Sequence, residues 1–243
     1  VKKLGVLGAG MMGAGIAYVS ASSGMDVVLI DQNQESVSKG MESITNILDQ
    51  GIKRGKISNE KKESILGRIT ATEDYSLLRG SNLVVEAVFE DTQVKELATK
   101  KAQEYLDEGT VFATNTSTLP IEKLAEASIS KAEFIGIHFF SPVHKMALVE
   151  IIKGKDTGEK AVATALDFVK QIRKTPIVVN DARFFYANRC IIPYINEGVR
   201  MIGEGIEPAL IENAARQLGM PVGPLQLIDE TSIDLGVRIA RET

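Results

Sequence analysis

Residues 2–13 read KKLGVLGAGMMG, a short apolar run that ends in glycines and leads into small and apolar residues of helical length, from Met11 to Gly24. The next apolar run, DVVLID at 26–31, completes a strand, helix, strand order, which is the βαβ unit of a parallel sheet. Gly8, Gly10 and Gly13 stand at the passage from strand to helix as G-x-G-x-x-G. Gly8 permits the tight turn, Gly10 lets a pyrophosphate approach the backbone, and Gly13 lets the helix pack closely on the strand. The phosphates would meet the unpaired N–H groups of the helix N-terminus. A glycine turn kept for packing alone would spell the same letters, so the pattern draws its force from the elements on either side.

Asp31 closes the second strand, about twenty residues beyond the glycines. There a carboxylate accepts hydrogen bonds from the adenosine ribose hydroxyls and repels a 2′-phosphate, and the neighbouring Gln32 and Asn33 bring no cation to offset it. The expected cofactor is NAD in preference to NADP. FAD is the alternative, since flavin enzymes use the same glycine motif.

Outward from this unit the chain turns charged between Gln34 and Arg68, with Met41, Ile44, Ile47 and Leu48 at helical spacing and a break from Gly51 to Ser58. This reads as a helical hairpin inserted between strands. Strand-like runs then resume at RITAT (68–72), NLVVEAVFE (82–90), GTVFATNTS (109–117) and EFIGIHFF (133–140), with a helix from about Thr92 to Leu106 and a short one opening at Pro120. ALVEIIKG (147–154) and PIVVN (176–180) are two more, separated by a helix over 158–174. The expected fold is α/β, a doubly wound sheet. After Asn180 three helical stretches take over, roughly Phe185 to Ile202, Pro208 to Leu218 and Gly223 onward. That change divides the chain into residues 1–180 and a smaller, all-helical 181–243. The chain opens at Val1 and stops at Thr243 inside the helix-like SIDLGVRIARET, so it reads as a piece of a longer polypeptide with a truncated helical domain.

Length and composition agree with a packed globular protein: 243 residues, 44% hydrophobic and 25% charged, suffice for a substantial core and argue against disorder. A net charge of −4 with basic and acidic residues interspersed gives no reason to expect nucleic acid or a membrane surface as partner, and no apolar run reaches spanning length. Cys190 is the one cysteine, which suits a reducing compartment. Its apolar helical context favours structural burial over a nucleophilic role.

Both histidines, His138 and His144, fall in IGIHFFSPVHKMALVEII, and Glu150 follows. Positions 138 and 150 are equidistant from residue 144. If the two strands pair antiparallel about the intervening turn, His138 and Glu150 face each other on one side of the sheet. A carboxylate on one ring nitrogen fixes the tautomer and makes the other nitrogen a better base. Spacing alone leaves open a core histidine satisfied by the backbone. His144, at the tip of the turn, reads as a solvated loop residue, and no His, Cys and carboxylate set has metal-ligand spacing.

Taken together, KKLGVLGAGMMGAGIAYVSA (2–21), VVEAVFED (84–91), NTSTLPI (115–121), HFFSPVHKMALVEII (138–152) and NDARFFYANRCIIPYINE (180–197) resemble the NAD-dependent 3-hydroxyacyl-CoA dehydrogenase family. The form most similar is the dehydrogenase portion of the multifunctional fatty-acid oxidation enzyme, which also carries a hydratase/isomerase domain. The resemblance implies a Rossmann-type cofactor domain, with His138 as general base and Glu150 as its partner. By the same resemblance Ser117 and Asn188 contact the substrate, and Met12, Val88, Phe89, Glu90, Lys95, Ser117 and Ser141 join the glycines and Asp31 around NAD. It implies an acyl-CoA substrate, oxidised at its 3-hydroxyl, and a homodimer or membership of a larger beta-oxidation complex, in the bacterial cytoplasm or else the mitochondrial matrix. Lys53, Arg54 and Lys56 are candidate cations for the CoA arm, although a solvated face explains them as well. The chain departs from the family at Ser141, where asparagine is usual after HFF, and at Arg183 and Phe184, where D-x-P-G-F is common.

Overall fold

The computed structural model describes residues 1–231. The helix-like pattern over 232–243 lies outside the described residues. The chain divides into two compact units, Val1–Arg183 and one that begins at Phe184.

The first unit is built outward from β1 (Lys3–Leu7). α1 (Met11–Ser22) follows and is lined with small residues, Gly13, Ala14, Gly15, Ala17 and Ala21, all buried, so it lies close on the sheet. β2 is Asp26–Ile30. The charged segment forms α2 (Gln34–Lys53) and α3 (Asn59–Leu66), whose first turns are capped by the Asn33 and Ser58 side chains. β3 (Ile69–Thr72) leads into a single 3-10 turn at Tyr75–Leu78 that sequence reading missed. Then come β4 (Leu83–Glu86), α4 (Thr92–Gln103) capped by Asp91, β5 (Val111–Thr114) and the one-turn α5 (Ile121–Leu124). β6 (Phe134–Phe139), β7 (Leu148–Lys153), α6 (Glu159–Gln171) and β8 (Thr175–Asn180) complete the unit.

The sheet has eight strands in the order β3-β2-β1-β4-β5-β6-β7-β8. Every pairing is parallel except β6 with β7, which is antiparallel. Apart from Lys3 at the start of β1, its central strands are buried along their length, which explains why they read as continuous apolar runs without alternation. The order reverses between β1 and β4, and the crevice beyond the carboxyl ends of strands at such a reversal is where open α/β sheets bind ligands. Expected strand residues 87–90 are not strand. β4 stops at Glu86, whose carboxylate takes the Val88 N–H at 2.8 Å and turns the chain out of the ladder.

The second unit contains α7 (Ala187–Gly203), α8 (Pro208–Gln217) and α9 (Pro224–Thr231). Glu212 of α8 accepts the Leu225 N–H at 2.9 Å, which satisfies an otherwise orphaned donor in the first turn of α9. The Tyr194 hydroxyl of α7 donates to the Val222 carbonyl at 2.8 Å. Cys190 is exposed, contrary to the burial expected from its apolar neighbours, because it lies on the outward side of amphipathic α7.

Candidate active site

Gly8 has φ +95°, and a Cβ there would lie 2.5 Å from the Ala87 carbonyl oxygen, so the turn out of β1 admits only glycine. A Cβ at Gly13 would run into the Gly8 carbonyl, whereas one at Gly10 would meet nothing within 4 Å. The backbone at Gly10 is thus open to the crevice. α1 begins there with no side-chain cap and no acidic residue in its first turn, which leaves its N–H groups and dipole to an anion. Asp31 is docked against this loop: one carboxylate oxygen accepts the Ala9 N–H at 2.6 Å and the other the Gln32 N–H at 2.7 Å. A groove of about 560 Å³ runs from Gly8, Gly10 and Met12 past Asp31 to Val88 and Phe89. Open backbone donors followed by an anchored carboxylate suit the pyrophosphate and ribose of a dinucleotide in that order.

Beneath the groove lies a charged network that was not foreseen from the sequence. Lys95 is 1% exposed, not a solvated helix charge. Its ammonium meets Glu86 at 2.9 Å and Glu90 at 3.1 Å. Glu86 is fully buried and also accepts the Thr114 hydroxyl at 2.7 Å. The other oxygen of Glu90 accepts the Thr116 hydroxyl and the Ser117 N–H, both at 2.7 Å, and the Ser117 hydroxyl at 3.1 Å. Burial pushes the Glu90 carboxyl up, but Lys95 and these donors outweigh it and hold Glu90 below the usual carboxylate range. Glu90 and Lys95 therefore fix the loop that carries Ser117.

At the antiparallel step, β6 and β7 pair with His138 opposite Glu150. His138 Nδ1 and Glu150 Oε2 are 2.7 Å apart, with side chains 7% and 0% exposed. A buried carboxylate at that distance accepts a hydrogen bond from Nδ1–H, which fixes the tautomer and leaves the basic lone pair on Nε2. The Phe140 ring lies 4.5 Å from the imidazole centroid to centroid, and Asn115 ties β5 to β6 by accepting the Phe139 N–H at 2.9 Å. His144 is exposed on the turn, edge-on to Tyr18 at 6.2 Å, and partial burial with Lys145, Lys174 and Arg54 nearby lowers its pKa.

Ser141 is exposed, its hydroxyl 3.7 Å from the Met11 sulfur, and Asn188 lies in the first turn of α7 in the second unit. Phe184, at the position where the family often has glycine, has φ +67°. Among the described residues no group of three His, Cys, Asp or Glu could hold a metal ion, and no helix is long and apolar enough to cross a membrane. Glu86 and Asn115 were overlooked, although an acid ending an apolar strand and an amide following another were the available signals.

A doubly wound sheet with a glycine loop and an anchored acid at its first crossover, and a buried His–Glu pair further along, defines a nucleotide-dependent dehydrogenase. A family model described as "3-hydroxyacyl-CoA dehydrogenase, NAD binding domain" matches residues 3–182, and one for the "C-terminal domain" matches 185–243. The structure resembles (S)-3-hydroxybutyryl-CoA dehydrogenase PaaH1 from Ralstonia eutropha, with a TM-score of 0.95 and 36% identity over 98% of this chain and 85% of that one. FadB2 of M. tuberculosis matches with a TM-score of 0.93 and 33% identity over 96% and 84% of the two chains. For 3-hydroxybutyryl-CoA dehydrogenase from Escherichia coli K12 the TM-score is 0.93 and the identity 32%, over 98% of this chain and 51% of that one. The chain belongs to the 3-hydroxyacyl-CoA dehydrogenase family, and its cofactor is NAD.

Proposed function

We propose that the chain oxidises L-3-hydroxyacyl-CoA to 3-oxoacyl-CoA in fatty-acid beta-oxidation, as the dehydrogenase part of a multifunctional cytoplasmic enzyme that works as a homodimer or within a larger complex. The observation that carries the chemistry is the buried His138–Glu150 pair at 2.7 Å. Bound NAD supplies the acceptor for the C3 hydride. His138 removes the hydroxyl proton through Nε2, and Glu150 stabilises the imidazolium that results. The Ser117 hydroxyl turns from Glu90 to the substrate oxygen as charge develops there, and Glu90 keeps the Thr116 hydroxyl and the Ser117 and Thr118 N–H groups when it does. Asn188 is given its substrate contact on the motif YANR alone. Lys53, the last residue of α2, and Arg54 and Lys56 just beyond it, all exposed, are the cations offered to the CoA arm.

The test is steady-state turnover of acetoacetyl-CoA with NADH against oxidation of free 3-hydroxybutyrate with NAD. The proposal expects the CoA thioester to be strongly preferred; equal rates would indicate another hydroxy-acid dehydrogenase, and no turnover a cofactor-binding scaffold. His138→Gln is expected to lower kcat by about 10³-fold, within the range for removing a general base, while NADH affinity measured by fluorescence titration stays near that of the wild type. Equal loss of both would remove His138 from its assigned role.

A further inference from the structure

The cofactor groove does not stop at Asp31. It continues to Tyr75 on the 3-10 turn and to Val94, Leu97 and Lys101 on α4, none of which the family's motifs single out. A dinucleotide runs pyrophosphate, ribose, base. With the glycine loop taking the first and the anchored Asp31 the second, the lining beyond Asp31 is left to the base. That lining has the right character, since Val94 and Leu97 are 40% and 68% exposed and form, with Lys101, one face of α4 at helical spacing. An adenine would cover apolar surface that the described residues leave to solvent.

The far end is shaped by a specific contact. The Lys101 ammonium stands over the Tyr75 ring, 4.2 Å from its centroid, which places a cation at a defined point in the groove. Lys101 is the one cation among the groove's described lining residues and Asp31 the one anion. The Tyr75 phenol is held above its ordinary range by burial and by the nearby Asp31 carboxylate, so it enters the site as a neutral hydroxyl. Adenine offers acceptor nitrogens for an ammonium and a face for an aromatic or apolar wall.

We infer that Tyr75 and Lys101 form the closed end of the adenine slot and are specificity-determining residues for the cofactor. The inference rests on the NAD reading. It assigns Tyr75 as the ring that sets the position of Lys101, and Lys101 as the donor that meets the base.

The probe is ADP-ribose, which carries the adenine half without the reacting ring, titrated calorimetrically into the full chain. Lys101→Met and Tyr75→Leu should each weaken ADP-ribose binding by about tenfold, the loss expected from one desolvated cation–ring or base-stacking contact. Tyr75→Phe, which keeps the ring, should bind within about threefold of the wild type. Lys101 is exposed, so Lys101→Met tests the inference even if Tyr75→Leu fails to fold. Unaltered ADP-ribose affinity in a folded Lys101→Met variant overturns it. Failure of the wild type to bind ADP-ribose would overturn the cofactor reading itself, a result told apart by the wild-type titration alone.

Discussion

Lys95 carries an unusual burden for a lysine, since it is almost wholly buried between two carboxylates. Taking it away would leave Glu86 and Glu90 as uncompensated like charges in a poorly hydrated site. Lys95→Met is therefore expected to cost about 3–5 kcal/mol at neutral pH, the usual loss on breaking a buried pair from one side. The pH dependence has a definite sign. In the wild type Glu90 is depressed below its ordinary range, so its contribution to stability is complete above about pH 4.5 and is lost as pH falls through its folded value. In Lys95→Met the repulsion instead raises one carboxyl, which binds a proton on folding and regains stability as pH falls. Urea unfolding at pH 7 and pH 5 should show the gap between the two proteins narrowing; a constant gap would mean that Lys95 acts by packing alone. A second residue-scale expectation concerns Glu150. Glu150→Gln keeps the size of the side chain and loses the charge that supports the imidazolium, so kcat should fall by roughly 10²-fold with NADH affinity retained. Steady-state kinetics beside a cofactor titration separates those quantities, and an unchanged kcat would reduce Glu150 to a structural partner.

At the level of elements, what could be read from the letters was local. The symmetry of 138 and 150 about residue 144 required only that the strands turn back, and the observed register pairs those residues. The glycine turn and the caps Asn33, Ser58 and Asp91 were similarly available, because each acts within a few residues of itself. The burial of a charged Glu86 at the end of β4, by contrast, depends on Lys95 and Thr114, which reach it from α4 and β5. No window of neighbouring residues contains that information. The C-terminus of α6 shows a different kind of mismatch. The Lys174 N–H donates to the Val169 carbonyl and the Arg173 N–H to the Lys170 carbonyl, the bonds of a Schellman cap. The residue at its left-handed position is Arg173, exposed, with φ +60°, where glycine is the usual occupant. Replacing Arg173 by glycine removes a side-chain clash of about 1–2 kcal/mol and adds some unfolded-chain entropy, for a net gain of about 0.5–1 kcal/mol. Thermal melts should place Arg173→Gly a few degrees above the wild type, and Arg173→Ala no higher than it.

For the molecule as a whole, the division at Arg183 has a functional reading that can be tested directly. All the described residues of the principal apolar core lie before position 173. The glycine loop, Asp31, the Glu86–Lys95–Glu90 network and the His138–Glu150 pair belong to the same unit, as do all the described residues that line its cofactor groove. Only Asn188, of the residues assigned to the reaction, belongs to the second unit. A chain ending at Arg183 is accordingly expected to fold cooperatively and to bind NADH with an affinity of the same order as the full chain. Its turnover of acetoacetyl-CoA should be far lower, since the proposed amide contact to the substrate oxygen is gone. Circular dichroism melting, NADH fluorescence titration and a steady-state assay on the two lengths of chain provide the three readings. Binding without turnover would place cofactor recognition in the sheet and commitment to chemistry in the helices. A folded but non-binding fragment would show that the groove needs the helical unit to hold its shape, and a fully active one that Asn188 has no part in the reaction.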